Sequence, residues 1–209
     1  MSSYNKTATV SGSERLGGVF TFKDTAVNSR VGISFISTSK ACQHLDNEIQ
    51  AKTTLQSLTT KAKSTWNSAV LSKIQVSGGS DADKQLLYSS LLGMFLIPTN
   101  KTGENPKWTS QEPYYDDIIT FWDTHRCHTA LFHIIEPVAY EEFLRSLIDI
   151  WRHDGFLPDA RSSNFNGRVQ GGSNADNVLA DAYVKGVRGA INWEDGYSAM
   201  KVHASHAAN

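Results

Sequence analysis

The side chains best equipped for chemistry are concentrated in one run, Tyr114 to His128, which reads Tyr-Tyr-Asp-Asp-Ile-Ile-Thr-Phe-Trp-Asp-Thr-His-Arg-Cys-His. Its first part, Tyr115 to Thr120, reads as a short extended piece that passes into a helix on which Asp123 and Arg126 lie three residues apart and share a face. An ordinary helix puts apolar residues on its inner stripe and charge outside. Here Trp122, Asp123, His125, Arg126, Cys127 and His128 crowd into one element. Flat aromatic faces beside charged, forked groups are what a pocket for a polyhydroxylated, sugar-like ligand requires. Two readings stay open at each position. Asp123 and Arg126 are either ligand contacts or an i, i+3 ion pair worth roughly a few tenths of a kcal/mol; Trp122 is either a stacking platform or core. His125, His128 and His133 lack the His-x-x-x-His spacing that brings two imidazoles onto one helix face, so zinc is not expected.

The elements that must position this run alternate in character along the chain. Val19-Phe20-Thr21-Phe22 and Arg30 to Ser37 read as strands, the second with Val31, Ile33 and Phe35 on one face, joined by the polar stretch Lys23 to Ser29. A lone hairpin is marginal in water, so these read as the last strands of a larger sheet. Ser39 is placed to cap a short helix carrying Ala41, Leu45 and Ile49. A helix over 55–76 carries Leu58, Ala62, Trp66, Ala69, Leu71 and Ile74 and stops at Ser77-Gly78-Gly79-Ser80, read as a boundary. Asp81 is placed to cap the next helix, whose inner face holds Leu86, Leu87, Ser90, Leu91, Met94 and Phe95 and which Pro98 stops. A loop over 99–113 follows, then the Tyr114 run, helical to Ile135, and a helix over 139–153 with Phe143, Leu144, Leu147, Ile148 and Trp151 inward and Gly155 at its end. The loop 156–172, with Arg161 and Arg168, has the length of a functional one. Helices over 174–187 and 193–203 complete the chain. The fold class read from this order is α+β, mostly α.

The bulk composition excludes several functions. With 20 basic and 21 acidic residues among 209, the formal charge is -1, which gives no case for nucleic acid or an anionic membrane as partner. No run approaches the roughly 18 apolar residues of a membrane span, and Met-Ser-Ser-Tyr-Asn-Lys has no signal core. Cys42 and Cys127 make no disulfide framework and are expected to be buried thiols. Asn5-Lys6-Thr7 and Asn100-Lys101-Thr102 fit the glycan acceptor pattern.

Three segments carry a family resemblance. Trp122-Asp123-Thr124-His125-Arg126, with Asp116-Asp117 before it and Leu144 to Ile150 after it, resembles the core segment of the family 92 glycoside hydrolases in a fungal-like form, and Arg30 to Ser37 and Gly171 to Gly186 match upstream and downstream. The resemblance implies a calcium-dependent, inverting, exo-acting α-mannosidase acting on mannose-containing glycans, secreted in many members. It implies the end of a β-sandwich over 1–50, a linker helix over 51–80 and the opening part of an (α/α)6 barrel over 81–209. Inversion needs a carboxylic acid and a carboxylate about 6.5 to 9.5 Å apart. Asp116, Asp117, Asp123, Asp149, Asp176 and Asp181 are the carboxylates near the motifs, and spacing pairs no two of them. The resemblance puts the acid, the base and most calcium ligands beyond Asn209, makes Asp123 the first sugar contact, and sets Asn174 and Asp176 at the pocket rim; a capping box with Ser173 explains the last two equally well. A fragment of this extent is expected to be inactive alone. Two other readings remain: a carbohydrate-binding or interaction module without chemistry, such as a truncated product retaining part of the sugar pocket, and an inverting all-α barrel acting on another sugar such as a glucoside.

Overall fold

A computed structural model describes residues 19–158, 160–167 and 174–206, the last four of these without their side chains. The chain divides into two compact units, Met1–Val31 and Gly32–Asn209. In the first, residues 19–31 form neither helix nor strand, and Val19, Phe20 and Phe22 are exposed.

The strands expected over 19–22 and 30–37 are therefore not formed among the described residues. The reason is the one that makes isolated hairpins marginal: among the described residues no strand pairs with them to bury the apolar face, and Ile33 and Phe35 stay exposed. Residues 32–37 instead run beside the first helix, α1 (Thr38–Glu48), and Gly32 sits so close that an added Cβ would collide with the Ala41 carbonyl. The cap of α1 is Ser37 rather than Ser39: its side chain accepts from the Lys40 N–H at 3.1 Å.

Helix α2 (Leu55–Ala69) starts at Thr54 and ends earlier than its apolar pattern suggested, because the backbone tightens into a 3₁₀ turn at Leu71–Lys73. Gly78 and Gly79 follow with φ of 85° and 74°, a left-handed pair that breaks the helical path. Helix α3 (Asp81–Met94) is capped by Ser80, not Asp81. Ser80 accepts from the Asp83 N–H at 3.2 Å while Asp83 accepts from the Ser80 N–H at 3.1 Å, a reciprocal box that satisfies two free amides. The buried stripe of α3 runs through Tyr88, Leu91 and Phe95, spaced i, i+3, i+7, and packs on Val70 and Ile135. Leu86 and Leu87, expected inside, lie off that stripe and are exposed.

Strands β1 (Thr99–Asn100) and β2 (Tyr115–Asp116) pair antiparallel, Thr99 opposite Asp116. Helix α4 (Phe121–Ile135) follows, and Pro137 opens α5 (Pro137–Asp154), where its missing N–H costs nothing. Gly155, at φ 84°, closes α5 in the left-handed conformation. Helix α5 is the centre of the molecule: Tyr140, Phe143, Leu144, Leu147, Ile148 and Ile150 are buried, packed among α4, β2 and α7 (Trp193–His206). Trp151, expected among them, is only half-buried. The hairpin of β3 (Arg161–Ser162) and β4 (Phe165–Asn166) follows, and α6 (Ala175–Val184) packs on α4 and α7. Both cysteines are exposed, contrary to expectation. Cys127 falls four residues after Asp123, on the outward face of α4 that the buried Phe121, Thr129, Phe132 and Ile135 leave free.

Candidate functional site

The approach to α4 is built by two segments that lock together. Strand β2 leads to Ile118, which exchanges two backbone hydrogen bonds with Arg161, each 2.7 Å. The hairpin is thereby fastened beside the start of α4. Beneath lies a buried polar cluster. Asp116, fully buried, accepts from Lys101 Nζ at 2.7 Å and from the Asn164 N–H at 3.0 Å. Its other oxygen has no hydrogen-bond partner among the described residues; Arg161 Nε stands 4.0 Å away, supplying charge without a bond. Asp117 reaches Lys101 at 3.2 Å and accepts from Ser162 at 3.3 Å.

Protonation follows from these contacts. Burial works against the Lys101 ammonium, but Asp116 and Asp117 outweigh it and raise its pKa. Burial alone would raise Asp117; donors from Thr99, Lys101 and Ser162 lower it instead, so it stays ionised. Burial raises the Tyr114 phenol despite the guanidinium beside it. A cavity of about 10 Å³, room for one water, lies between Asp117, Thr124, His128 and Thr129. His128 hydrogen-bonds the Met94 backbone, while its Nε2 is buried without a partner among the described residues; desolvation lowers its pKa.

The residues singled out from the sequence are placed as follows. Trp122, Asp123 and Arg126 all stand at the exposed start of α4. Arg126 Nε donates back to the Trp122 carbonyl at 3.1 Å, and the alternative Asp123–Arg126 ion pair is not formed among the described residues. The Asp123 carboxylate is solvent-facing, with no bonded partner there. Asn174 is the N-cap residue of α6 and accepts from Asn177 Nδ2 at 3.0 Å; Asp176 accepts from the Asn177 N–H at 2.9 Å. Ser173, the expected cap, lies outside the described residues, as do Gly171, Arg168 and the Asn5 triplet. The three histidines diverge: His125 bonds the Phe121 carbonyl, His128 faces the small cavity, and His133 stacks on Tyr140 at 5.1 Å.

A larger cleft of about 240 Å³ lies between Lys40, the 103–114 loop and α5, with Trp108, Glu112 and Asp149 on its walls. Trp108 Nε1 donates to Asp149 at 2.9 Å and its ring stacks on His153 at 4.7 Å. Among the described residues, no three His, Cys, Asp or Glu side chains are grouped to hold a metal.

Arg161, legible in the sequence only as a cation in a loop, is completely buried and bonds Tyr114, 47 residues earlier. No local pattern marks an arginine whose partners lie that far away.

Comparison with known proteins gives first a class and then a family. Two similar solved structures are glycoside-cleaving enzymes of Bacteroides thetaiotaomicron. One is a family 92 inverting mannosidase, with TM-score 0.68, 28% identity and coverage of 79% of this chain and 23% of that one. The other is a family 92 α-mannosidase with TM-score 0.71 over 82% of this chain and 24% of that one; at 22% identity it shows the shared fold. An uncharacterised secreted glycosidase of Arthroderma benhamiae is 33% identical over 178 residues, 84% of this chain and 20% of that protein. The chain thus spans about a fifth of the curated relative. The model of the glycosyl hydrolase family 92 catalytic domain matches residues 40–209, and the chain belongs to that family.

Proposed function

We propose that the complete protein is an exo-acting α-mannosidase that removes terminal α-linked mannose from N-glycans or mannans by a single inverting displacement. The observation that carries this reading is the family 92 match over 40–209, which includes the Trp122-Asp123-Thr124 segment at the open start of α4. A solvent-facing carboxyl group next in sequence to an indole suits the hydroxyls and C–H face of a sugar. In this reading Asp123, Arg126 and Trp122 contact the mannose, and Asn174 and Asp176 stand at the rim. The domain division carries over as 1–50 for the end of a β-sandwich, 51–80 for the linker helix and 81–209 for the opening of an (α/α)6 barrel. The acid and base come from residues after Asn209. Calcium belongs to the proposal through the family alone, and the same resemblance implies that most of its ligands lie outside this chain. Secretion is proposed from the description of the fungal relative.

The test is a panel of aryl α-mannosides and α-glucosides offered to the full-length protein and to residues 1–209 alone. The full-length protein turns over mannosides and not glucosides, and the short chain turns over neither. Glucoside preference in the full-length protein would refute the substrate; robust turnover by the short chain would refute the division of labour. Calorimetry with mannose on the short chain separates residual sugar binding from none.

A further inference from the structure

Among the described residues, side chains other than glycine adopt left-handed backbone at four positions, and all four lie in two short segments. Asp117 and Thr120, with φ of 57° and 56°, precede α4; Ser163 and Asn164, at 54° and 67°, turn the β3–β4 hairpin. Thr120 is the least suited of them, because a β-branched side chain crowds that conformation. Strain of this kind persists only where the surroundings over-determine it, and it gathers at working sites. The two segments meet through the Ile118–Arg161 backbone pair, the Ser162–Asp117 and Asn164–Asp116 bonds, and the Arg161 side chain, which adds a third piece of chain, the end of α5.

Its guanidinium has five N–H donors in a planar fork. Nε and Nη2 donate to the Tyr114 hydroxyl at 3.4 and 3.3 Å, and Nη2 also reaches the Asn164 carbonyl at 3.2 Å. Nη1 donates to Asp154 at 2.9 Å and Asn166 at 2.8 Å. The cation lies over the rings of Trp108 and Tyr114, 5.4 and 5.6 Å from their centroids. Three separate segments, the one entering β2, the end of α5 and the hairpin, are thus held at fixed angles by one side chain. A buried arginine that only balanced charge would need one carboxylate; this one spends every donor on orientation.

We propose that Arg161 is a positioning residue for the reaction. It clamps the hairpin against residues 114–118, holds Asp117 and Thr120 in their left-handed turn, and so fixes the direction in which α4 begins and presents Asp123. The proposal rests on the mannosidase reading for its kinetic consequence, though not for its structural one. A Lys at this position keeps the charge and loses the fork.

The test compares full-length wild type with Arg161→Lys, Arg161→Met and the milder Tyr114→Phe, which removes the hydroxyl that accepts from Arg161 and itself donates to Asn164 Oδ1 at 3.0 Å, and leaves the Asp154 contact. Misplacing a binding group by about 1 Å can cost about 100-fold in rate, so kcat per folded molecule on an aryl α-mannoside falls at least about 30-fold in both Arg161 variants and about fivefold in Tyr114→Phe, with KM changed less than about threefold. A purely structural role lowers only the folded fraction. Unchanged kcat per folded molecule, or full recovery in Arg161→Lys, overturns the proposal. If the Arg161 variants do not fold, Tyr114→Phe decides by the same criterion. If wild type hydrolyses no mannoside, the mannosidase reading fails separately, and amide exchange decides: faster exchange over 117–124 with α5 unchanged supports the clamp, and an unchanged pattern overturns it.

Discussion

At the scale of single residues, the most exacting arrangement is the carboxylate of Asp116, fully buried and bonded to Lys101 at 2.7 Å. Deleting one partner of a buried pair costs more than the pair itself is worth, because the remaining charge keeps its desolvation penalty. Lys101→Met therefore lowers stability by about 3–5 kcal/mol, measured by urea unfolding; the loss is softened only so far as Arg161, at 4.0 Å, can move in. Glu104 presents the pH-dependent counterpart. Burial would raise its pKa, but His44, Ser34, the Phe35 N–H and Lys40 together hold it at about 2. A carboxyl with a depressed folded pKa contributes stability above its unfolded value, 4.5, and loses it as pH falls toward about 2. The seat of α1 on the 103–105 turn thus loosens across that window, and Glu104→Gln removes the dependence. Circular dichroism melts between pH 5 and 2 read both outcomes. The sequence displayed Asp116 and Asp117 as candidate carboxylates, but not that one is a buried anchor and the other half-open, since that depends on Lys101 folding back from a different loop.

At the scale of elements, legibility followed the strength of local signals. Helix α5 was readable almost residue by residue, because Phe143, Leu144, Leu147 and Ile148 repeat at helical spacing between Pro137 and Gly155. Leu147→Ala, at a fully buried site, costs about 2–5 kcal/mol. The start of α3 was readable too, but Ser80 and Asp81 both fit a cap and only the reciprocal bonds with Asp83 decide between them. Ser80→Ala costs about 1 kcal/mol by thermal or urea unfolding. The strands expected over 19–22 and 30–37 do not form among the described residues for the opposite reason: alternation shows that a segment can pair, and pairing needs a partner edge that those residues do not contain. The hairpin of β3 and β4 carried no pattern at all, two residues per strand being too few to alternate.

At the scale of the whole molecule, apolar side chains remain on the surface at the ends of helices: Ile134, Val138 and Val184 are 75%, 72% and 84% exposed. Bare aliphatic surface of this kind favours self-association, driven by water release and so insensitive to salt. Sedimentation of the 209-residue chain at rising concentration accordingly shows association that added salt does not reverse. Ile134→Lys combined with Val184→Glu suppresses it.

The two outward thiols give the architecture a use of its own. Cys42 rides on α1 and Cys127 on α4, and both side chains are free and exposed. A nitroxide placed on each converts the pair into a molecular ruler across the 32–209 unit. Pulsed dipolar spectra will give one narrow distance distribution at neutral pH, which broadens on acidification and is already broad in Glu104→Gln.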